Sequence, residues 1–172
     1  MNPKIEILPK VKEVLRAEAD AINAVKIDSS YEEAINILFE SSGKIITTGM
    51  GKAGFVAQKF AAIMSSTGTS SVFIHPAEAA HGDLGVISKN DSIVAFSTSG
   101  KTREVLEFIE LSRHMTNGSV IGITSHSDSG LRELSDVIID MGVIREPCPL
   151  GMTPTASMAV MAAVSDAIAL VL

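Results

Sequence analysis

Hydrophobic positions near the amino terminus recur at helical spacing. Between Pro9 and Val25 the apolar residues stand three or four positions apart, which places them on one face of an α-helix. A second helix is predicted from about Tyr31 to Ser41, because the preceding Asp-Ser-Ser run is a helix-capping signal. Gly43 is predicted to end it. Two helices are therefore expected before the first strand.

The rest of the chain alternates between short apolar runs and helical patterns. Five runs rich in Ile and Val predict β-strands: KIITTGM, SSVFIH, SIVAFS, SVIGITS and DVIIDM. Most of them do not alternate with polar residues, which is typical of parallel strands covered on both faces. Helices are predicted at 54–66, 102–114, 129–135 and 157–172. This order indicates an α/β fold: a three-layer αβα sandwich with a five-stranded parallel sheet and right-handed crossovers.

Composition limits the class of protein. With 172 residues, 46% of them hydrophobic, and no internal repeat or linker, the chain is predicted to form a single domain over residues 1–172. A net charge of −6 argues against nucleic acid as a partner, because phosphate backbones require clustered Lys and Arg. The single cysteine, Cys148, excludes an internal disulfide and fits a reducing cytoplasm.

No membrane-targeting segment is predicted. The first twenty residues carry charges throughout and contain no apolar core of signal-peptide length. The most apolar segment, 157–172, is interrupted by Asp166 and is too short to span a bilayer. We interpret it as a helix buried in the core or against another subunit, and we expect a soluble cytoplasmic protein with no membrane partner.

The loops that follow the predicted strands contain the polar residues suited to chemistry. In parallel α/β sheets, ligands bind beyond the carboxyl ends of the strands. In TGMGKAG, Gly49 and Gly51 allow the backbone to approach a ligand, and a helix N-terminus follows them. Tight packing explains such a turn equally well. The turn fits neither a dinucleotide-binding fingerprint nor a Walker A motif.

A second strand-end loop contains three hydroxyl groups. In STSGKT, Ser97, Ser99 and Thr102 lie between an apolar strand and a helix. Hydroxyls together with the free N–H groups of a first helical turn form an uncharged site for a phosphate. The alternative is a helix cap, for which one hydroxyl is sufficient. Three hydroxyls at the expected crevice favour an anion.

Four segments together resemble the sugar-isomerase (SIS) domain family, most closely its branch of arabinose-5-phosphate isomerases. They are GMGKAG, SSTGTSSVFIHPAEAAHGDLG, STSGKTREV and EPCPLGMTPTAS, spread over residues 49–172. The resemblance implies interconversion of D-arabinose 5-phosphate and D-ribulose 5-phosphate without a cofactor. It also implies a homotetramer with active sites at subunit interfaces. Many members have a C-terminal pair of CBS modules, which this sequence lacks.

The resemblance assigns roles to four polar side chains. Isomerisation moves a proton between C1 and C2 through an enediol, so it needs a base and a group that stabilises an oxyanion. Glu104 and Glu146 match glutamates of the family's active site. We interpret Glu146 as the base, with Glu104 as the competing candidate. Lys52 would stabilise the enediolate oxygen or the phosphate, and His81 would polarise the carbonyl or assist ring opening.

The remaining expected contacts are less specific. The substrate or its phosphate is expected to contact Gly49, Gly51, Gly68, Thr69, His75, Ser97, Ser99 and Thr102. No metal site is predicted, because two histidines six residues apart lack a further ligand at standard spacing. In the family, the equivalent of His75 is also a contact for inhibitory zinc. His114 and His126 have no motif around them and are predicted to be surface residues.

Two alternatives stay open. One is a sensor that binds a sugar phosphate without converting it, and the other is a 6-phospho-3-hexuloisomerase. The joint presence of the lysine, the histidine and the two glutamates favours an enzyme. The family's pattern continues beyond Leu172 into a His-Pro-Gly-Gly segment whose histidine reaches a neighbouring subunit, and a protein without that segment would fit the sensor better.

Overall fold

A five-stranded parallel sheet is the centre of the computed structural model, which describes residues 6–172 of the chain. Its strand order is β2-β1-β3-β4-β5, and every neighbouring pair is parallel. The predicted parallel sheet is confirmed. The predicted domain also includes residues 1–5, which lie outside the described part. The strands are β1 (Ile45–Gly49), β2 (Ser71–Phe73), β3 (Ser92–Phe96), β4 (Val120–Thr124) and β5 (Val137–Asp140).

Helices cover both faces of the sheet and confirm the three-layer arrangement. Helices α1, α2, α3 and α7 form one layer, and α4, α5 and α6 form the other. Within the described residues, none of the helices combines the length and the apolar character needed to cross a bilayer. The helices are α1 (Ile7–Asn23), α2 (Ser29–Glu40), α3 (Gly51–Ser66), α4 (Pro76–Ala79), α5 (Arg103–Ser112), α6 (Gly130–Leu134) and α7 (Ala156–Val171), with a 3₁₀ turn at Asp83–Val86.

Neighbouring residues of each central strand are buried on opposite faces of the sheet. Ile45 packs among residues of α2, α3 and α7, whereas Ile46 packs against the layer that contains α5. Phe96 and Ala95 of β3 divide in the same way. Such strands need apolar side chains at every position, so the uninterrupted apolar runs of the sequence are explained by burial on both faces.

Some predicted boundaries differ from the structure. Helix α2 begins at Ser29, because the side chain of Asp28 accepts a hydrogen bond from the backbone N–H of Ser30. It ends at Glu40, so the prediction that Gly43 ends it is wrong. A Cβ atom on Gly43 would lie 2.4 Å from the carbonyl oxygen of Asn90, so a close backbone contact explains this glycine.

Helix α3 begins at Gly51, three residues before its predicted start. Met50 is extended and lies at the cap position, and the glycines that follow it have no side chains that would reveal a helical period. A Cβ atom on Gly54 would lie 2.5 Å from the carbonyl oxygen of Gly49. The glycine therefore allows the first turn of α3 to pack directly on the end of β1.

Replacing Gly54 with Ala should destabilise the fold. The new methyl group meets a backbone oxygen that cannot rotate away, so we expect the free energy of unfolding in urea to fall by about 1–3 kcal/mol. This loss would appear although Ala is favoured over Gly in a helix by about 1 kcal/mol. The control is Gly85→Ala, where a Cβ atom meets open space and a change within about 0.5 kcal/mol is expected. Equal stability of the two variants would contradict this account.

Candidate functional site

The strand order reverses at one place in the sheet. From β1 the chain crosses to β2 on one side, and later to β3 on the other. A reversal of this kind leaves a crevice at the carboxyl ends of the two central strands. Helices α3 and α5 follow β1 and β3, so both point their N-terminal N–H groups towards this crevice. Gly49 and Gly51 lie at its β1 side.

The hydroxyl groups of the loop after β3, residues 97–102, stabilise the loop itself. Ser97 is 2% exposed, and its Oγ accepts a hydrogen bond from the backbone N–H of Gly100 at 3.1 Å. The same Oγ lies 2.8 Å from Oγ1 of Thr102 and shares a hydrogen bond with it. Ser99 Oγ accepts from the backbone N–H of Lys101 at 3.2 Å. These bonds hold the loop in one shape before any ligand arrives.

Gly100 packs this loop closely against the segment that follows β4. Its φ is +61°, and a Cβ atom at this position would lie 2.3 Å from Oγ of Ser129. Its carbonyl oxygen accepts a hydrogen bond from the backbone N–H of Leu131 at 2.9 Å. Only glycine combines this backbone conformation with so close a contact.

The backbone of the loop has N–H groups that are not used within the protein. Within the described residues, the N–H groups of Thr98 and Ser99 donate no hydrogen bond. The carbonyl oxygen of Thr98, in contrast, accepts three: from Ser125 N at 3.0 Å, Thr124 Oγ1 at 3.1 Å and His126 Nδ1 at 2.9 Å. The Thr98 peptide is thus held from the side of β4, while unpaired N–H groups remain beside it for an anion.

A cavity of about 540 Å³ lies beside this loop and contains one of the predicted glutamates. Thr98 contributes from the loop, Ser125 and His126 from the end of β4, and Glu146 from the segment after β5. The structure therefore brings Glu146 into the same cavity as the loop. Val143, Ile144 and Met152 provide apolar walls, which suit the carbon chain of a small ligand.

Glu146 is held by the first turn of α7. Its Oε2 accepts from the backbone N–H of Thr155 at 2.8 Å and of Ala156 at 2.9 Å, and its Oε1 accepts from Ser157 N at 3.1 Å. Burial raises the pKa of this carboxyl, but the hydrogen bonds from Ser157, Thr155 and Ala156 outweigh burial and hold the pKa below its ordinary value. Glu146 is therefore ionised at neutral pH.

His81 and Glu104 lie together, away from Glu146. They line a separate cavity of about 290 Å³, between the end of α4 and the first turns of α5. His81 is exposed and Glu104 is half-buried. Lys52, on the first turn of α3, is exposed and lines neither of these two cavities. Within one chain, the four predicted catalytic residues do not share one cavity.

The other predicted contacts are distributed between the two edges of the sheet. His75 follows β2 at the carboxyl edge, and its Nδ1 is buried without a hydrogen-bond partner among the described residues. Gly68 and Thr69 precede β2 and so lie at the opposite, amino edge, where the backbone N–H of Thr69 closes the last turn of α3 onto Met64 O at 2.9 Å. The structure does not bring Gly68 and Thr69 to the cavity. Across residues 6–172, no three His, Cys, Asp or Glu side chains are grouped for a metal.

Ser125 and His126 were missed as site residues by sequence reasoning. His126 was predicted to be a surface residue because no motif surrounds it. It is exposed, but it also lines the cavity of Glu146. Their position at the end of the fourth apolar run was the available signal, because every parallel strand ends at the same edge of the sheet.

A parallel sheet whose strand order reverses, with a crevice at the carboxyl ends of its strands, defines a doubly wound α/β protein. The family model of the SIS domain matches residues 37–171. The chain therefore belongs to the SIS-domain family.

Known relatives agree with this assignment. The arabinose 5-phosphate isomerase KdsD of Pseudomonas aeruginosa is 35% identical over 174 residues, an alignment that covers 100% of this chain and 53% of the relative. KdsD of Francisella tularensis is 38% identical, covering 93% and 50% respectively. The chain thus spans about half the length of these curated relatives. A solved structure of an Escherichia coli CFT073 protein in complex with arabinose 5-phosphate has a TM-score of 0.92 and 34% identity, covering 99% of this chain and 91% of that one.

The contact between Glu146 and the first turn of α7 should make the stability of the protein depend on pH. In Glu146→Gln, we expect the free energy of unfolding at pH 7 to fall by about 1–3 kcal/mol, because hydrogen bonds to an ionised acceptor are lost. The folded-state pKa is depressed, so this stabilisation is complete above the ordinary value of 4.5 and is lost as the pH falls through the folded-state pKa. Urea titrations of both proteins from pH 7 to pH 3 measure the difference, which should narrow below about pH 4.5.

The matched control is Glu110→Gln, an exposed acid on α5. Its unfolding free energy should stay within about 0.5 kcal/mol of the unmodified protein across the same range. A Glu146→Gln difference that does not change with pH would show that charge plays no part in the contact.

Proposed function

We propose that this chain is an aldose–ketose isomerase of a phosphorylated sugar, which interconverts D-arabinose 5-phosphate and D-ribulose 5-phosphate through an enediol. The observation that carries the proposal is the shared cavity of Glu146 and the loop after β3. Membership of the SIS-domain family and the names of the KdsD relatives support the substrate. The apolar walls of the cavity would suit the carbon chain of such a sugar.

The phosphate group would bind at the loop 97–102. The unpaired N–H groups of Thr98 and Ser99 and the N-terminus of α5 provide donors and a partial positive charge. Ser99 and Thr102 contribute hydroxyls, while the more deeply buried Ser97 positions the loop. Since these donors are mostly uncharged, an acidic protein can bind an anion here.

Glu146 would move the proton between the two carbons. Its carboxylate takes the proton from C2 of the aldose while the carbonyl oxygen O1 gains a proton, which gives the enediol. It then returns the proton to C1 while O2 loses its own, which gives the ketose. Because hydrogen bonds favour the ionised form, Glu146 is present as the carboxylate that a base must be before it accepts a proton.

Three further residues keep proposed roles from the family resemblance. Lys52 would stabilise the enediolate oxygen or the phosphate, and His81 would polarise the carbonyl or assist ring opening. Glu104 is the competing base. Because His81 and Glu104 lie in a second cavity of the same chain, we propose that they act in an assembled protein, at a site completed by a neighbouring subunit.

The activity is tested with purified protein and D-arabinose 5-phosphate, with the ketose product measured over time. We expect turnover, and we expect Glu146→Gln to lower kcat by at least about 100-fold, as loss of a general base does. Glu104→Gln separates the two candidate bases, and Glu110→Gln is the control for removal of an exposed acid.

Two outcomes would contradict the proposal in different ways. If Glu146→Gln remains active while Glu104→Gln does not, the base is Glu104. If the unmodified protein binds the sugar phosphate, measured as a rise in Tm, but produces no ketose, the protein is a sensor. If the protein converts a 6-phospho-3-hexulose but not D-arabinose 5-phosphate, it is a 6-phospho-3-hexuloisomerase.

We also propose that the protein is a homotetramer. In α1, none of the residues is buried, and Leu8, Val11 and Leu15 are between 50% and 74% exposed along one helical face. Phe55 on α3 and Leu170 near the end of α7 are exposed as well, at 70% and 74%. Exposed apolar side chains on more than one helix suit a closed tetramer with dihedral symmetry, which uses at least two different interfaces.

The assembly is tested by substituting the exposed face of α1. Leu15→Glu places a charge where a subunit contact would exclude water, and burying an unpaired charge is unfavourable. We therefore expect a lower molar mass by light scattering at the same concentration. Asn23→Glu adds the same charge at the end of the helix, at an exposed polar residue, and should leave the mass unchanged. An unmodified protein with the mass of one chain would contradict the tetramer.

The free cysteine supports the proposal of a cytoplasmic location. Backbone N–H groups of Thr153, Met152 and Leu150 lower the pKa of the Cys148 thiol to about 7, so much of it is thiolate at neutral pH. A thiolate of this kind is easily oxidised outside a reducing compartment.

A further inference from the structure

The orientation of the His126 ring determines what its second nitrogen can bind. Nδ1 lies 2.9 Å from the carbonyl oxygen of Thr98, and this oxygen can only accept a hydrogen bond. Nδ1 must therefore carry the proton. In the neutral ring, Nε2 then has a lone pair and acts as an acceptor.

The backbone of His126 is held in place by an arginine. Arg132 on α6 donates from Nε to the carbonyl oxygen of His126 at 2.6 Å, and from its guanidinium to Oδ2 of Asp140 at 2.5 Å. Asp140 is the last residue of β5. His126 is thus fixed at its ring by the loop after β3 and at its backbone by the sheet, so its position does not depend on a ligand.

The neighbouring serine has unused hydrogen-bonding capacity. Oγ of Ser125 is buried, and it has no hydrogen-bond partner among the described residues. Ser125 and His126 line the same cavity as Glu146 and Thr98. A buried hydroxyl without a partner is costly, so a ligand that supplies one is favoured.

We propose that His126 is a substrate-binding residue, which accepts a hydrogen bond at Nε2 from a hydroxyl of the sugar carbon chain, with Ser125 Oγ as its neighbour in this subsite. The inference rests on the sugar-phosphate ligand of the proposed function. Phosphate oxygens at neutral pH are mainly acceptors and do not suit a neutral Nε2, whereas sugar hydroxyls donate readily. His126 therefore recognises the polyhydroxylated chain, and the loop 97–102 recognises the phosphate.

The substitution His126→Asn separates binding from loop structure. The amide nitrogen of Asn can occupy the position of Nδ1 and donate to Thr98 O, but Asn has no group in the place of Nε2. We expect calorimetry to give a Kd for D-arabinose 5-phosphate about 5- to 30-fold weaker than that of the unmodified protein, the effect of one lost hydrogen bond. Binding of inorganic phosphate and the Tm should be unchanged. In the isomerase assay, KM should rise more than kcat falls.

The matched control is His114→Asn, the same substitution at an exposed histidine that follows α5 and lines none of the cavities described here. It should bind both ligands like the unmodified protein. If His126→Asn binds the sugar phosphate as tightly as the unmodified protein does, the inference is overturned. If His126→Asn also weakens the binding of inorganic phosphate and lowers the Tm, the inference is overturned too, because His126 would then only support the loop.

Because this test measures binding affinity, it stays separate from the test of catalysis. An unmodified protein that binds D-arabinose 5-phosphate without converting it would overturn the isomerase, while the comparison of His126→Asn with His114→Asn would still decide the role of His126. An unmodified protein that binds inorganic phosphate but gains no affinity from the sugar would overturn the subsite.

Discussion

The crevice depends on one constraint, the pairing of β1 with both β2 and β3 in a fully parallel sheet. The connection after β1 and the connection after β3 leave in opposite directions, so no helix covers the carboxyl ends at this place. Loops that are far apart in the chain are thereby brought to one edge. The unpaired N–H groups after β3, the polar residues after β4 and the carboxylate after β5 follow from this arrangement.

The polar groups of the crevice divide into those that shape it and those that remain available. The hydroxyls of Ser97 and Thr102 bind each other, and the carbonyl oxygen of Thr98 receives three donors. These bonds order the loop in advance, so a ligand would not have to supply that ordering free energy. What remains is a set of backbone N–H groups, an ionised carboxylate and the second ring nitrogen of His126, and one cavity is lined by Thr98, Glu146 and His126.

The sequence predicted the sheet and its layers well, because burial on both faces demands apolar residues at consecutive positions, and such runs are visible in the letters. The loop after β3 was recognised from its place at the end of one of these apolar runs. His126 was not, because what matters about it is a contact with Thr98, twenty-eight residues away. The separation of Glu104 from Glu146 also depends on tertiary packing: spacing along the chain says nothing about which side of a loop a helix turn faces.

Helix α7 connects two distant parts of the molecule. Its sixteen residues form a rod of about 24 Å, with Glu146 bound to its first turn and the exposed Leu170 and Val171 at its far end. Between these two ends the helix packs into the core through Val160, Val164 and Ile168. The backbone N–H groups that bind the carboxylate are therefore held as firmly as the core itself, and a substitution that loosens the core under α7 would also disturb the cavity.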